Sequence, residues 1–338
     1  MTDTVLVTGG SGYLAGHVIR RLLDDGYAVR TTLRTLGRES EVRARFDRDK
    51  GELSFAAADL NADSGWAAAV SSCDYVLHVA SPFPSQQPKN EDDLIAPARD
   101  GTLRVLRAAA AARVRRVVVT SSFAAIGYSP KPPGMPYDES DWTDVSGQQS
   151  PYVKSKTLAE PAAWDFAETH PDGPELTVIN PVGVFGPVLG RDYATSVGII
   201  RTLLDGKLPL LPKSSFAVVD VRDVADLHVN AMRSPRAAGE RFLAAAGQPL
   251  ALPEVARILR SRLGDDASRV PKREAPDWLI RAAARFVPKL DSLVATLGEP
   301  KRISTAKATN VLGWQPRPAA DTVAETGESL LRLRSVSA

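Results

Sequence analysis

Val5-Leu6-Val7-Thr8-Gly9-Gly10-Ser11-Gly12-Tyr13-Leu14-Ala15-Gly16 decides the fold. The apolar run at 5–7 is too short for anything but a buried strand. The glycines that follow allow a tight turn, and residues 13–25 place Leu14, Val18, Leu22 and Leu23 on one helical face. A glycine-rich turn between a strand and a helix lets the backbone approach a diphosphate, and the helix N-terminus offers free N–H groups to it. Glycine spacing alone is weak evidence, but this match has the strand before it and the helix after it that a dinucleotide site requires. Thr8, Gly9, Ser11, Gly12, Tyr13 and Leu14 are therefore candidate cofactor contacts, and Ala15 is the small residue that packs helix on strand.

Outward from this turn, short β-branched runs alternate with longer helical patterns. Strands are expected at 28–33, 53–57, 75–79, 117–120 and 176–180, and helices at 94–112 and 151–170. Such alternation predicts an α/β Rossmann fold, a doubly wound parallel sheet with helices on both faces. Pro151 suits the first turn of its helix, whereas Pro161 predicts a kink or an early end. Residues 128–142 contain Pro130, Pro132, Pro133, Gly134 and Pro136 and read as an irregular loop. Past residue 180 the elements are smaller: helices at 193–205, 252–263, 275–286 and 319–331, and short strands at 216–219 and 241–244. Residues 1–180 are thus read as the dinucleotide-binding domain, with strand returns near 216–230. Residues 181–338 are read as mainly a smaller mixed α/β substrate-binding lobe.

Composition narrows the class. The 338 residues include 42 Lys and Arg against 40 Asp and Glu, a formal charge of +2, which argues against a nucleic-acid partner. Cys73 is the single cysteine, so no internal disulfide is possible, and the four histidines are scattered with no metal-ligand spacing. No apolar stretch reaches bilayer length, and residues 1–4 resemble no targeting segment. A cytoplasmic protein with no metal, no membrane association and no nucleic-acid partner is expected.

The strand at 28–33 ends Thr31-Thr32-Leu33-Arg34, with no carboxylate to hold a ribose 2′-hydroxyl. Arg34, with Arg38 nearby, suits a 2′-phosphate, so NADPH is favoured over NADH. Tyr152 and Lys156 stand one helical turn apart on one face. A phenol titrates near pH 10, and a fixed ammonium is expected to bring it toward working pH. The strand at 117–120 runs into Thr120-Ser121-Ser122 at the sheet edge where ligands bind. Spacing alone does not choose between Ser121 and Ser122.

These pieces together resemble the extended short-chain dehydrogenases/reductases, and more narrowly the dihydroflavonol reductase, cinnamoyl-CoA reductase and aldehyde/ketone reductase group. The resemblance rests on Thr8-Gly9-Gly10-Ser11-Gly12-Tyr13-Leu14-Ala15, Asp59-Leu60, Val79-Ala80-Ser81-Pro82-Phe83, Thr120-Ser121-Ser122, Tyr152-Val153-Lys154-Ser155-Lys156, Pro181-Val182-Gly183-Val184-Phe185-Gly186-Pro187, Val219-Asp220-Val221-Arg222-Asp223-Val224-Ala225 and Leu312-Gly313-Trp314. It implies that Tyr152 is the general acid, that Lys156 tunes it and holds the nicotinamide ribose, and that Ser122 bonds the substrate oxygen. It further implies that Asp59 and Leu60 line the adenine site. Val79, Ala80, Ser81 and Thr120 would pass beside the cofactor, and Pro181 and Val182 would border the nicotinamide. Arg222 would face the substrate or tie the two lobes together. Two departures stand out. The relay Asn of many relatives is replaced by Ala98, so water or backbone would have to serve, and the substrate-contacting Asn of the flavonoid reductases is replaced by Gly127.

The expected activity is NADPH-dependent reduction of a small apolar or aromatic aldehyde or ketone, by a monomer or homodimer. Candidate substrate contacts are Phe83, Phe123, Tyr128, Phe185 and Phe216, with Tyr193 nearby. The runner-up is an NAD-dependent nucleotide-sugar epimerase or dehydratase. Against it stand Arg34 in place of an acid and the lack of an Asp-Glu pair after Ser122. A cofactor-binding redox regulator is the non-enzymatic alternative, which the intact Tyr-Lys pair disfavours.

Overall fold

The computed structural model describes residues 2–46, 51–82, 90–285, 297 and 300–335. The first half alternates β1 (Thr4–Val7), α1 (Tyr13–Asp24), β2 (Ala28–Leu33), α2 (Glu39–Arg43), β3 (Leu53–Ala57), α3 (Trp66–Val70), β4 (Tyr75–His78), α4 (Asp92–Ala111), β5 (Arg116–Thr120) and α5 (Pro151–Thr169). Then come β6 (Glu175–Pro181), β7 (Gly183–Phe185), α6 (Thr195–Leu204), β8 (Ser215–Phe216), β9 (Val218–Asp220), α7 (Val221–Arg233) and β10 (Glu240–Ala244). The last elements are β11 (Leu250–Ala251), α8 (Leu252–Leu263), α9 (Asp277–Ala284) and two helices, Ala306–Leu312 and Ala319–Ser335.

Seven parallel strands form the main sheet in the order β10-β6-β5-β4-β1-β2-β3. Its strands are apolar runs because both faces are covered. Val5 and Val7 join Val118 and Ile179 on the face packed by α1 and α7. Leu6 joins Val117, Val119 and Val178 on the face packed by α3, α4 and α5. The strand order reverses between β1 and β4, which opens a crevice at the carboxyl ends of the strands.

Three expectations change. Residues 216–219 are not one strand. β8 pairs antiparallel with β11 and β9 pairs parallel with β7, with Ala217 between them. The segment near 241–244 is β10, an edge strand of the main sheet, so the return to the first domain extends past 216–230. Pro161 does not end its helix, which runs on to Thr169. A proline inside a helix, through the lost hydrogen bond and the clash of its ring, costs about 3 kcal/mol, and Ala163 and Phe166, buried against the sheet beyond the proline, offset it at roughly 1.5–3 kcal/mol for a side chain the size of Phe166. Ser150 caps the helix, its Oγ accepting from the Val153 N–H, and Pro151 follows in the first turn as expected. No described helix is long and apolar enough to cross a membrane.

Candidate active site

The glycine turn closes at the mouth of the crevice. Gly9 has φ +77°, and a Cβ there would stand 3.0 Å from the Ala80 Cβ. The Gly9 N–H donates to Thr32 Oγ1 at 2.9 Å, and the Gly12 N–H to the Gly9 carbonyl at 2.8 Å. Gly12 caps α1 without a side-chain bond, which leaves backbone donors of the first turn for an anion. Thr8 Oγ1 accepts from the Ala80 N–H at 2.9 Å and bonds His78 Nδ1 at 2.9 Å, fastening the end of β1 to the end of β4. The half-buried Val79, Ala80 and Ser81 follow on that side of the crevice. The Tyr13 side chain turns away from it: the hydroxyl donates to the Gly186 carbonyl at 2.9 Å. Leu14 packs into the core. At this turn both can offer backbone only.

Arg34 follows β2 and is exposed at the crevice rim. Arg38 is not waiting beside it, because Glu41 accepts from it at 2.8 Å through both oxygens and Asp192 pairs with it as well. Sequence reading missed Arg45, whose largely buried side chain donates to the Ser11 carbonyl at 3.0 Å and to Glu41 at 2.8 Å. The basic run at 30–50 was its only signal. Beyond β3, Asp59 Oδ1 accepts from the Asn61 N–H at 2.9 Å, and Leu60 lies against Gly101 of α4.

Ser122 and Tyr152 meet. The Tyr152 hydroxyl stands 3.3 Å from Ser122 Oγ. Ser121 instead donates to the buried Glu160, so the adjacent serines divide their roles. Lys156 is buried and donates to the Thr120 carbonyl at 3.2 Å, while Thr120 Oγ1 bonds His228 Nε2 at 2.7 Å behind the sheet. Burial pushes the Lys156 ammonium down to about 8. The Tyr152 phenol is held above its ordinary value, mainly by burial and against the lowering bond to Ser122. The net shift is thus upward, burial outweighing what lowers the phenol, and the ammonium donates to a backbone carbonyl. A phenol kept protonated is the form that donates.

Below Lys156 lies a cavity of about 20 Å³ lined by His78, Ala98, Thr102, Ser121 and Glu160 among others. It is large enough for one water, beside Ala98. Pro181 ends β6 and is buried, and the half-buried Val182 donates to the Ala244 carbonyl at 3.1 Å.

The candidate substrate residues divide. Phe123 is half-buried, edge-on to Tyr137 at 5.8 Å and tilted to Tyr128 at 6.3 Å. A Cβ on Gly127 would fall 2.0 Å from Phe123 Cζ, so the ring occupies the space a side chain there would need. Tyr128 is exposed, with Lys301 Nζ 4.3 Å over its ring. Phe185 does not face the cleft as expected. It has no exposed surface and stacks on Phe216 at 5.6 Å inside the C-terminal core, where Phe216 is partly buried. Phe185→Leu is expected to cost about 1–2 kcal/mol of stability and leave substrate KM unchanged; a raised KM at full stability would return the ring to the pocket. Phe83 lies outside the described residues. Arg222 bonds Asp220 at 2.7–2.8 Å and Glu325 of the last helix at 2.5 Å.

Known proteins match this arrangement over most of its length. The model of the NAD dependent epimerase/dehydratase family matches residues 5–245. A cinnamoyl-CoA reductase of Medicago truncatula is 37% identical over 266 residues, 76% of this chain and 80% of its own. An anthocyanidin reductase of Vitis vinifera is 34% identical over 278 residues, 77% of this chain and 80% of its own. Among solved structures, the yeast methylglyoxal/isovaleraldehyde reductase Gre2 complexed with NADPH superposes with TM-score 0.79 at 26% identity, covering 98% of this chain and 99% of that one. Gre2 of Candida albicans, also with NADPH, gives 0.81 at 27% identity over 98% and 99%. The chain belongs to the NAD dependent epimerase/dehydratase family, the extended short-chain dehydrogenases/reductases.

Proposed function

We propose that this chain is an NADPH-dependent reductase of a small apolar or aromatic aldehyde or ketone. The observation that carries the reading is the meeting of Tyr152 and Ser122 at 3.3 Å, with Lys156 beneath them, at the sheet edge that also bears the glycine turn. The residues fit the cofactor. Gly9 makes a cradle that a Cβ would crowd, the α1 N-terminus has no side-chain cap, and Arg34 is exposed where a 2′-phosphate would lie. When bound, the nicotinamide supplies the hydride that the carbonyl carbon accepts. Ser122 orients the carbonyl oxygen and stabilises its growing charge, and Tyr152 gives its proton to that oxygen. Lys156 holds the ribose and keeps a positive charge under the phenol. Phe123 and Tyr128 would line an apolar approach, which favours an aromatic or branched carbonyl compound.

The similarity to named reductases supports this reading over the epimerase. So do Arg34 after β2 and the absence of an Asp-Glu pair after Ser122. The test is a panel of isovaleraldehyde, aromatic aldehydes, β-ketoesters and diketones with NADPH and NADH. NADPH oxidation with at least one carbonyl is expected; none across the panel, or retained NAD in the purified protein, overturns the reading. Arg34→Glu is expected to lower kcat/KM for NADPH by about 10–100-fold, as loss of a charged hydrogen-bonded contact implies, and to narrow the preference over NADH. An unchanged cofactor ratio would place the 2′-phosphate elsewhere.

A further inference from the structure

One buried charge has no part in the chemistry above. Glu160 follows Lys156 by one turn of α5, and its side chain has no exposed surface. Within a helix, Lys preceding Glu is the less favourable order, so a tertiary reason is needed for a carboxylate there. The surroundings supply it. Glu160 Oε2 accepts from Ser121 Oγ and, at 2.7 Å, from Asn180 Nδ2. Oε1 stands 2.8 Å from Arg241 Nε on β10, a charge contact lying off the hydrogen-bond direction, so Oε1 has no well-aimed donor. Arg241 is itself fixed, its guanidinium 3.8 Å over the Trp142 ring and bonded to the Asp141 carbonyl at 3.1 Å.

We propose that Glu160, clamped by Ser121, Asn180 and Arg241, is a positioning residue whose buried carboxylate keeps Lys156 an ammonium beneath the cleft. The inference rests on the reading of Tyr152 and Lys156 as the reactive pair. Three observations lead to it. Lys156 is buried, and the hydrogen bond it makes among the described residues is to a neutral carbonyl. Lys156 and Glu160 line the same small cavity, and among the described residues Glu160 is the only carboxylate on its wall. The other titratable groups facing the lysine supply no negative charge. These are Tyr152 on the same helix, His78 on β4 and, behind Thr120, His228 on α7. The α4 side of the cavity gives only Ala98 and Thr102, and β6 gives Asn180 to the carboxylate. Burial lowers the lysine, and Glu160 is the charge that opposes the fall. The carboxylate is shared between two buried cations, Lys156 and Arg241, so removing either partner of Glu160 changes its hold on the other.

That sharing gives a test of sign. The alkaline limb of the pH profile of kcat/KM, read by NADPH oxidation with isovaleraldehyde or another carbonyl that it turns over, reports loss of the working proton. Glu160→Gln takes the wall carboxylate from Lys156, while Arg241 keeps the charges of Glu139 and Asp141, so the limb is expected to move down by about one pH unit or more, a tenfold lower rate on the alkaline side. Arg241→Gln gives Lys156 the undivided carboxylate, so its limb is expected to move up. Glu160→Asp should restore part of the first shift. In a Tyr152→Phe background, where no phenol titrates, the pH at which NADPH affinity falls should move in the same directions. A purely structural anchor would weaken both variants without opposite shifts. Unmoved limbs, or limbs that move the same way, overturn the proposal. If Glu160→Gln does not fold, Arg241→Gln decides alone: an upward shift supports the proposal and any other result overturns it. Full turnover by Tyr152→Phe would instead overturn the reading of the pair itself.

Discussion

Tyr152→Phe is expected to lower kcat by about 10²–10⁴-fold, the share a positioned general acid contributes. The substitution removes one oxygen. The contact it makes to Ser122 is 3.3 Å, long for a hydrogen bond and worth at most about 1 kcal/mol to the fold. The ring stays where α5 puts it, so NADPH affinity should change by no more than about twofold, well under 1 kcal/mol. Neither Ser122 nor Lys156 substitutes for the proton. Ser122, whose Oγ accepts from the Ala124 N–H at 3.1 Å, is an aliphatic alcohol and a far weaker acid than a phenol, and Lys156 is directed to the Thr120 carbonyl. Turnover and cofactor binding measured on the same preparation separate the two effects. Wild-type turnover in the variant would remove the phenol from the chemistry.

A second large effect is expected on acidification. His17, His78 and His228 are buried and neutral, and burial pushes them down to about 4, 3 and 4. Their nitrogens are spoken for: His17 by the Pro187 carbonyl, His78 by Thr8 and Thr102, and His228 by Val224 and Thr120. The unfolded chain takes up these protons near pH 6.5. Because the folded values are depressed, stability is complete above about pH 6.5 and is lost as pH falls toward the folded values. At about pH 5 each histidine favours unfolding by roughly 2 kcal/mol. Asp223, pushed up to about 6 chiefly by burial, acts the other way and returns roughly 1 kcal/mol over the same interval. The net, about 5 kcal/mol, is a large part of a typical domain's stability. A thermal midpoint lower at pH 5 than at pH 7 by on the order of 10 °C is expected. Equal midpoints would mean that the imidazoles are charged within the fold.

The sequence carried the sheet because its strands are buried on both faces. Val117-Val118-Val119 has no amphipathic alternation to mislead, and Gly9 marks the turn after β1, where φ is positive. Tyr152 and Lys156 were legible because helical spacing is local. What failed was long-range. Nothing near Arg38 announces Asp192, which lies 154 positions away and takes up its guanidinium. Phe185 sits beside a motif, and an aromatic there reads alike whether it lines a pocket or fills a core; its partner Phe216 decided the matter. Ser121 and Ser122 became distinguishable only through Glu160 and Tyr152, on the turns of α5 that face them. Pro161 was judged by its local penalty, and the packing beyond it outweighed that penalty.

The edge position of β10 has a bearing on biosynthesis. A nascent chain released only as far as residue 181 contains six of the seven main strands, with β6 at the border and its Thr177–Pro181 backbone lacking the neighbour it later acquires. About sixty more residues must leave the ribosome before that border is sealed. Until then the half-made sheet presents a bare strand to other chains, the circumstance in which edge-to-edge aggregation and chaperone capture compete with folding.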